Sequence, residues 1–245
     1  MKDESSVPKN AIIIAGGEGT RLRPLTFVIP KPLVPLLGRP LIEYIIEDIA
    51  RHGVKEVILA IGYKAGMVEE HFEKHKSGKM PLKIVYSIEK ERLGTGGAVK
   101  LAMSKTHGAQ DTIVMNGDNL FRINFAEMYR RHRANKAVVT IAVIRVDNVK
   151  GFGVLVMDGE RITSFVEKPD PENAPSHYIN CGIYIVSSRI SEYFPDASAF
   201  SLERDVFEKL APEGCIYAYP IEAFYTVNDH EQYKEMEQAL REHRI

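Results

Sequence analysis

Short apolar runs alternate with amphipathic stretches in the first half of the chain. Residues 11–15, 54–61 and 82–88 have the length and the branched side chains of buried strands. Residues 40–52 carry apolar side chains at helical spacing between the first two runs, and Gly53 ends that pattern. A strand, a helix and a second strand in this order are typical of a parallel sheet with right-handed crossovers. The pattern therefore predicts an α/β protein.

The second half of the chain has a different pattern, in which short strands with alternating apolar residues replace the alternation of strands and helices. Further strands are predicted over residues 112–115, 137–145, 153–157, 161–168, 180–186 and 215–219, and further helices over residues 65–76, 98–105, 124–134, 201–211 and 229–243. Asp158 and Gly159 between two apolar runs are a strong hairpin signal. No repeat, linker or low-complexity segment divides the sequence. We therefore expect one domain over residues 1–245, with a first lobe of about 10–135 and a second of about 136–245.

Composition narrows the class of protein. Of the 245 residues, 44% are hydrophobic and 27% are charged, and the net charge is -1, which is typical of a globular chain. This balance gives no general field for nucleic acid or an anionic membrane, so a phosphorylated ligand has to be bound by locally placed Arg and Lys. The first residues are polar, and no apolar run approaches the roughly 18 residues of a membrane span. We expect a cytoplasmic protein with no membrane or nucleic-acid partner.

The two cysteines, Cys181 and Cys215, are too few for a disulfide framework. Each lies in an apolar, strand-like run, and free cysteine is among the most buried residue types. Both are therefore expected in the core.

A glycine-rich loop follows the first predicted strand, with Gly16, Gly17 and Gly19 ahead of Arg21 and Lys31. Glycines let backbone N–H groups approach an anion closely, and the two cations add positive charge, so the loop suits a polyphosphate. Glycine after a strand is also ordinary turn punctuation. The loop lacks the third glycine of the dinucleotide-binding motif and the GK[ST] of a P-loop. A dinucleotide-dependent oxidoreductase therefore has little support.

Residues 16–26, GGEGTRLRPLT, and residues 30–42, PKPLVPLLGRPLI, together resemble the signature of the sugar-1-phosphate nucleotidylyltransferases, the nucleotide-diphospho-sugar pyrophosphorylases. The resemblance implies a Rossmann-like mixed, mostly parallel sheet flanked by helices, with a smaller antiparallel sugar-binding lobe. It implies that a sugar 1-phosphate oxygen attacks the α-phosphorus of a nucleoside triphosphate (NTP) and releases pyrophosphate with the help of Mg²⁺. It also allows a homo-oligomer. Because no hexapeptide repeat of a left-handed β-helix occurs here, a single activity is expected.

The resemblance assigns the nucleotide side of the site. Arg21 matches the arginine that neutralises the leaving pyrophosphate, since a guanidinium fork suits phosphate. Lys31 matches the lysine that bridges the phosphates, and its two flanking prolines fix the backbone. The implied nucleotide-binding residues are Ala15, Gly16, Gly17, Gly19, Thr20, Arg21, Glu89, Gly94, Thr95 and Gly117.

A metal-binding carboxylate is implied at Asp118, which follows a predicted strand, where open α/β sheets bind their ligands. Aspartate is also a common turn residue. Thr226 replaces the family's second metal-binding Asp, and its neutral hydroxyl is a poorer Mg²⁺ ligand. Asp229 is the alternative second ligand, although its place before a helical pattern favours an N-cap, and Asn228 is another.

The second lobe contains Glu167-Lys168-Pro169, which matches the family's EKP motif. By that match, Lys168 holds the phosphate of the sugar 1-phosphate and Glu167 accepts hydrogen bonds from sugar hydroxyls. Gly153, which permits close approach, and Asn180 are the implied contacts to the sugar ring. EKP alone is a weak signal, because charged residues before proline commonly mark an exposed strand end. The implied catalytic residues are Arg21, Lys31, Asp118 and Lys168.

Residues 89–97, EKERLGTGG, are similar to the E-x-x-x-L-G-T-x-G form of mannose- and heptose-phosphate guanylyl enzymes and of some glucose-phosphate uridylyl enzymes. Glu89 or a neighbouring carbonyl would accept hydrogen bonds from guanine N1 and N2; a solvated turn residue is the alternative. GTP with mannose 1-phosphate or a heptose 1-phosphate is the favoured pair. The alternatives are a UTP- or dTTP-dependent glucose-1-phosphate enzyme and a catalytically weakened regulatory homologue that binds nucleotide sugars, for which Thr226 is the hint.

Overall fold

The computed structural model describes residues 6–74 and 82–245. Its strands are β1 (Asn10–Ile14), β2 (Pro35–Leu36), β3 (Arg39–Pro40), β4 (Glu56–Ile61), β5 (Lys83–Ile88), β6 (Asp111–Asn116), β7 (Asn119–Arg122), β8 (Val139–Arg145), β9 (Val154–Asp158), β10 (Arg161–Val166), β11 (Tyr178–Ser187), β12 (Ile216–Pro220) and β13 (Ala223–Thr226). Its α-helices are α1 (Leu25–Val28), α2 (Leu41–Arg51), α3 (Ala65–Lys74), α4 (Gly94–Met103), α5 (Phe125–Ala134), α6 (Glu208–Leu210) and α7 (His230–Arg241). The shorter helices are the 3-10 segments Thr20–Leu22, Lys31–Leu33, Pro171–Asn173, Ser188–Tyr193 and Ala211–Glu213 and the π-helical segment Leu202–Phe207.

A nine-stranded sheet forms the centre of the molecule, in the order β5-β4-β1-β6-β11-β8-β12-β10-β9. The four strands from β5 to β6 run parallel, and β1 lies between β4 and β6. Every residue of β4 is buried, as expected for a parallel strand that is covered on both faces. Beyond β6 the pairings are antiparallel except for that of β8 with β12. The predicted α/β class and mixed sheet are confirmed.

Strand β11 joins the two halves of the protein in one sheet. Its ten residues pair with β6 of the first half and with β8 and β9 of the second half. The sheet therefore continues across the lobe boundary expected near residue 135. The division into two lobes is not tested by this continuity and stays a prediction.

Helices cover both faces of the sheet, because neighbouring strand residues point to opposite sides. On β1, the fully buried Ile13 packs with the core under α2, α5 and α7, whereas Ile12 packs with the core under α4 and the π-helical segment. The apolar face of α2 supplies Leu41, Ile42, Ile45, Ile46 and Ile49 to the first core. Cys181 is buried as expected, but Cys215 is only half-buried at the start of β12, and both thiols are free.

Several elements differ from the sequence prediction. The helix expected over residues 201–211 begins as a π-helical segment, in which side chains of Thr95 and Ser201 accept the first N–H groups in place of a regular helical ladder. Strands β7 and β13 were not predicted; they are four residues long and stabilised by pairing with each other. The last residues of the helix expected to reach residue 76 lie outside the described residues.

A buried polar cluster fastens α5 to the sheet. His132 is 2% exposed; its Nδ1 lies 2.9 Å from Oγ1 of Thr140 on β8, and its Nε2 lies 3.6 Å from Oδ1 of Asp111 on β6. The hydroxyl of Tyr129 donates to Oδ2 of Asp111 at 3.0 Å. Burial alone would raise the pKa of Asp111, but the hydrogen bond and charge of His132 outweigh it and hold this pKa below its ordinary value of 3.8.

We expect Asp111→Asn to destabilise the fold at neutral pH and much less in acid. The lowered pKa means that the carboxylate stabilises the folded state above pH 3.8, and that this contribution is lost as the pH falls through the folded-state value below it. Loss of hydrogen bonds to a charged group predicts a decrease of about 1–3 kcal/mol in the free energy of unfolding at pH 7. Urea denaturation of both proteins at pH 7 and pH 3 measures the difference.

Asp147→Asn is the matched control, because the Asp147 side chain is fully exposed and its nearest cation is 4.0 Å away. We expect this variant to unfold like the wild type at both pH values. An equal loss of stability at pH 7 and pH 3 in Asp111→Asn would contradict the role given to the ionised carboxylate.

Candidate active site

The loops that follow the parallel strands meet at one edge of the sheet. The backbone N–H of Gly117 donates to the carbonyl of Ile14 at 2.8 Å, and that of Tyr63 donates to the carbonyl of Gly16 at 3.0 Å. The N–H of Glu89 donates to the carbonyl of Ile61 at 2.8 Å. These bonds extend the sheet by a residue or two beyond the strands and hold the four loops side by side.

Three adjoining cavities open along this edge. The loop cavity, with a volume of 600 Å³, lies between the glycine-rich loop and the loop after β5. The central cavity, of 300 Å³, lies over the ends of β1 and β6, and the distal cavity, of 380 Å³, lies between β6 and the second half of the chain. Thr95, at the start of α4, lines all three cavities, while Arg21 and Asp118 line both the central and the distal one.

The structure brings together nearly all of the residues singled out in the sequence. The loop cavity contains Gly16, Gly17, Gly19, Thr20, Glu89, Gly94 and Thr95. The central cavity contains Ala15, Gly17, Gly19, Thr20, Arg21, Lys31, Thr95, Gly117 and Asp118. The distal cavity contains Arg21, Gly94, Thr95, Asp118, Gly153, Glu167, Lys168, Asn180 and Thr226. Asp229 lines none of these three cavities.

The carboxyl group of Glu89 closes one end of the loop cavity. A Cβ atom on Gly16 would lie 2.4 Å from Glu89 Oε1, so this carboxyl group lies directly against the glycine-rich loop. Burial raises the pKa of Glu89. The side chain is thus a partly desolvated acceptor facing the cavity and not a solvated turn residue.

Cations and a single carboxylate line the central cavity. Lys31 begins a 3-10 helix after Pro30, and its ammonium group forms an ion pair with Asp118. Arg21 Nη2 donates to Asn228 Oδ1 at 2.9 Å. Both side chains of the ion pair are mostly buried, at 14% and 23% exposure. Two cations against one carboxylate leave this cavity with an excess of positive charge, which suits a polyphosphate.

Two residues with neutral oxygen atoms in their side chains, Thr226 and Asn228, line the same cavity as Asp118. The backbone N–H of Val227 donates to the carbonyl of Asp118 at 3.0 Å, which brings the end of β13 to this carboxylate. Thr226 Oγ1 accepts from Asn228 Nδ2 at 3.0 Å. Asp229 instead caps α7, where its Oδ1 accepts the N–H groups of the second and third following residues.

The candidate second metal ligands differ in their surroundings. Asp229 is engaged as the N-cap, in agreement with the helical pattern that follows it. Asn228 lines both the central and the distal cavity. Within residues 6–74 and 82–245, no group of three or more His, Cys, Asp or Glu side chains is arranged to hold a metal ion.

The EKP motif forms the floor of the distal cavity. Lys168 adopts a left-handed backbone conformation with φ of 51°, and its Nζ lies 2.9 Å from Glu167 Oε1. Burial raises the pKa of Glu167 against the opposing effect of this ion pair. Asn180 Nδ2 donates to the Tyr184 hydroxyl at 2.8 Å. A Cβ on Gly153 would lie 2.8 Å from Glu167 Oε2, so this glycine keeps the space beside the carboxylate open.

Two charged residues of the distal cavity are not predicted from the sequence. Glu203 and Arg204 lie at the start of the π-helical segment, in a stretch that reads only as an amphipathic helix. Glu203 is 8% exposed, which is unusual for glutamate. Their position in the first turn after the helix-capping Ser201 is the only local signal that they carry.

The nucleotidyl transferase family model matches residues 10–240 of the chain. The match includes all of the strands and cavities described above.

The chain belongs to the nucleotidyl transferase family.

Members of this family generally depend on a metal ion. The resemblance to sugar-1-phosphate nucleotidylyltransferases is confirmed by two curated relatives. Mannose-1-phosphate guanylyltransferase of Mycobacterium tuberculosis is 36% identical over 219 residues, which are 88% of this chain and 59% of that protein. D-glycero-alpha-D-manno-heptose 1-phosphate guanylyltransferase of Aneurinibacillus thermoaerophilus is 35% identical over 215 residues, which are 88% of this chain and 90% of that protein. The chain thus spans little more than half of the first relative and most of the second.

A solved structure agrees with these relatives. HddC from Yersinia pseudotuberculosis, crystallised as a complex with GMP-PN, superposes with a TM-score of 0.79 at 31% identity and covers 95% of this chain and 99% of its own. The fold of this nucleotidyl transferase is therefore shared over nearly its whole length. Within the described residues, no helix is both long and apolar enough to cross a membrane.

We expect Gly94→Ala to destabilise the protein by about 1–3 kcal/mol, because left-handed backbone is unfavourable for a residue with a side chain. Gly94 has φ of +69°, and a Cβ here would lie 2.5 Å from the carbonyl oxygen of Phe200. Gly17→Ala is the control, since a Cβ at Gly17 meets nothing within 4 Å. Thermal and urea unfolding measure both variants; equal stability of the two would show that α4 does not pack on Phe200 as described.

Proposed function

We propose that this chain is a sugar-1-phosphate nucleotidylyltransferase that uses GTP and either mannose 1-phosphate or a heptose 1-phosphate. An oxygen of the sugar 1-phosphate attacks the α-phosphorus of the NTP, the bond from that phosphorus to the bridging oxygen breaks, and pyrophosphate leaves with its electron pair. The observation that carries the proposal is the junction at Arg21, Thr95 and Asp118, where the central and distal cavities share their walls. Two phosphorylated substrates fit side by side only across such a junction.

The choice of nucleotide and sugar is supported by the relatives. The two curated proteins are named for mannose 1-phosphate and heptose 1-phosphate guanylyl transfer, and HddC was crystallised with GMP-PN. The cavities add a physical reason for guanine. A half-buried carboxylate at Glu89 accepts hydrogen bonds well from two adjacent N–H donors, which guanine offers at N1 and N2.

We assign the triphosphate to the glycine-rich loop and the central cavity. The loop backbone is left-handed at Gly19, which has φ of 62°, and Gly17, Gly19 and Thr20 line the cavity. Successive N–H groups in such a turn suit an anion. Arg21 and Lys31 supply the positive charge that stabilises the leaving pyrophosphate. Little covalent chemistry is left for the protein, since phosphoryl-type transfer depends on positioning and charge neutralisation.

The side-chain oxygen atoms at and near Asp118 are of the kind that coordinates Mg²⁺. One carboxylate with nearby neutral oxygens from Thr226 and Asn228 matches the preference of Mg²⁺ for a few protein ligands together with substrate phosphates. When bound there, Mg²⁺ neutralises phosphate charge during transfer. We assign Asp118 as the main ligand, and Thr226 or Asn228 as the second, in preference to the helix-capping Asp229.

We assign the sugar 1-phosphate to the distal cavity. Lys168 is 57% exposed and presents its ammonium group toward the phosphate, while the buried Glu167 accepts hydrogen bonds from sugar hydroxyls. The left-handed backbone of Lys168 is the kind of local strain that recurs at functional sites. Asn180 and Gly153 border the same space and contact the ring.

A pyrophosphate-release screen tests the proposed function. The purified chain is incubated with Mg²⁺, each of the four common NTPs, and a panel of hexose and heptose 1-phosphates. We expect release with GTP and mannose 1-phosphate or a heptose 1-phosphate. Turnover with UTP or dTTP and glucose 1-phosphate would move the assignment to those enzymes, and nucleotide-sugar binding without turnover would favour a regulatory homologue.

Asp118→Ala and Lys168→Ala are each expected to lower kcat/KM by roughly 100- to 1,000-fold, the cost of losing one group that stabilises charge in the transition state. The rate of pyrophosphate release with the preferred substrates measures this decrease in kcat/KM. Lys234→Ala, on the exposed face of α7 and away from the three cavities, is the matched control and should retain the wild-type rate. Wild-type rates in the two site variants would refute the assignment.

Glu89→Gln is expected to reduce kcat/KM for GTP by roughly 10- to 100-fold, because an amide offers one acceptor and one mismatched donor to guanine. ITP lacks the 2-amino group, so the preference of the wild type for GTP over ITP should shrink in the variant. Glu235→Gln, an exposed carboxylate on α7 that lines none of the three cavities, is the control. An equal loss for GTP, ITP and UTP would mean that Glu89 has a structural role only.

A further inference from the structure

The start of α4 is bound to a segment from the second half of the chain. The N–H of Gly96 donates to the carbonyl of Phe200 at 2.9 Å, and the N–H of Phe200 donates to the carbonyl of Leu93 at 2.9 Å. A Cβ on Gly96 would lie 2.2 Å from the ring of Phe200, so the two backbones are in close contact. Residues 200–203 therefore act as a fixed support for the turn that begins α4.

Thr95 and Glu203 form the polar centre of this contact. Thr95 Oγ1 donates to Glu203 Oε2 at 2.5 Å and accepts from the N–H of Leu202 at 2.9 Å. Ser201 Oγ donates to the same carboxylate oxygen at 2.8 Å. Since Glu203 is 8% exposed, these two hydroxyl groups satisfy a carboxylate that is costly to bury. The rotamer of Thr95 is thereby fixed from both its donor and its acceptor side.

The two partners of this hydrogen bond face different substrates in the proposed function. Glu203 lines the distal cavity and neither of the other two, whereas Thr95 lines the loop and central cavities as well. Glu203 lines the same cavity as Glu167, the residue assigned to sugar hydroxyls. Thus Glu203, in the cavity assigned to the sugar phosphate, holds Thr95, which also lines the two cavities assigned to the nucleotide.

We propose that Glu203 is a positioning residue for nucleotide binding, acting from the sugar-phosphate cavity through its hydrogen bond to Thr95. The inference rests on the proposed function for the identity of the two substrates. A change at Glu203, in the wall of the sugar-phosphate cavity, should therefore weaken the binding of nucleotide even when no sugar phosphate is present.

Equilibrium binding of the NTP that the wild type binds most tightly, measured by calorimetry without sugar phosphate, tests the proposal. We expect Glu203→Gln to weaken binding by roughly 10- to 150-fold, the range for loss of a hydrogen bond to a charged group. Thr95→Val should weaken it similarly. The double variant should be no weaker than the worse single variant, because the two residues act as one unit. Thr95→Ser, which restores the hydroxyl, should recover most of the affinity that Thr95→Val loses.

Asp205→Asn is the matched control. Asp205 lies in the same π-helical segment and its Oδ2 accepts the N–H of Ser201 at 2.8 Å, but it lines none of the three cavities. Its substitution should leave nucleotide affinity unchanged. Circular dichroism and melting temperature identify variants that fail to fold, and Glu203→Asp, which keeps the charge, provides a second and milder variant with an intermediate expected loss.

The outcomes separate this inference from the proposed function. Unchanged affinity in folded Glu203→Gln, additive losses in the double variant, or an equal loss in Asp205→Asn would overturn the positioning role while wild-type turnover still supported the function. Nucleotide binding by the wild type without pyrophosphate release would overturn the function alone. Absence of any nucleotide binding by the wild type would overturn both.

Discussion

The position of β1 between β4 and β6 is the constraint on which the rest of the site depends. Both faces and both edges of this strand are covered, so its direction and register are fixed by pairing and by burial together. The glycine-rich loop and Asp118 then emerge next to each other, since parallel strands end at the same edge. The bond from Gly117 to the carbonyl of Ile14 carries that alignment beyond the strands themselves.

The second half of the chain meets this edge through packing that leaves little freedom. Strand β11 extends the sheet next to β6 and turns at Gly182, where φ is +65° and a Cβ would lie 2.3 Å from Asn116 Nδ2. At the other side, residues 198–203 lie so close to α4 that its glycines cannot be enlarged. The distal cavity therefore lies between two tight contacts, one at Gly182 and one at the glycines of α4. Relative movement of its walls would require both contacts to open.

The sequence alone predicts those features of this protein that depend on residues close together in the chain. The buried strands, the amphipathic α2 and the glycine-rich loop each have a local pattern that packing did not override, and Glu167-Lys168-Pro169 could be placed by its motif. Glu203 and Asn228 had no such pattern, because their importance comes from partners more than 100 residues away, Thr95 and Arg21. The short β7 and β13 were missed for the same reason: each is stabilised by the other and not by its own alternation.

Thr226, where the resemblance implies a second metal-binding carboxylate, lines the distal cavity and forms a hydrogen bond with the neutral Asn228. A carboxylate there would place a second negative charge beside Asp118 and offer Arg21 an ion pair. Instead Arg21 donates to the neutral Asn228, which in turn donates to Thr226, so the guanidinium charge is not cancelled by its partner. In the proposed site, protein cations thus carry a larger share of phosphate neutralisation, and a metal at Asp118 a smaller one. Nucleotide binding and metal binding stay coupled in this site, because Asp118 is the ion-pair partner of Lys31.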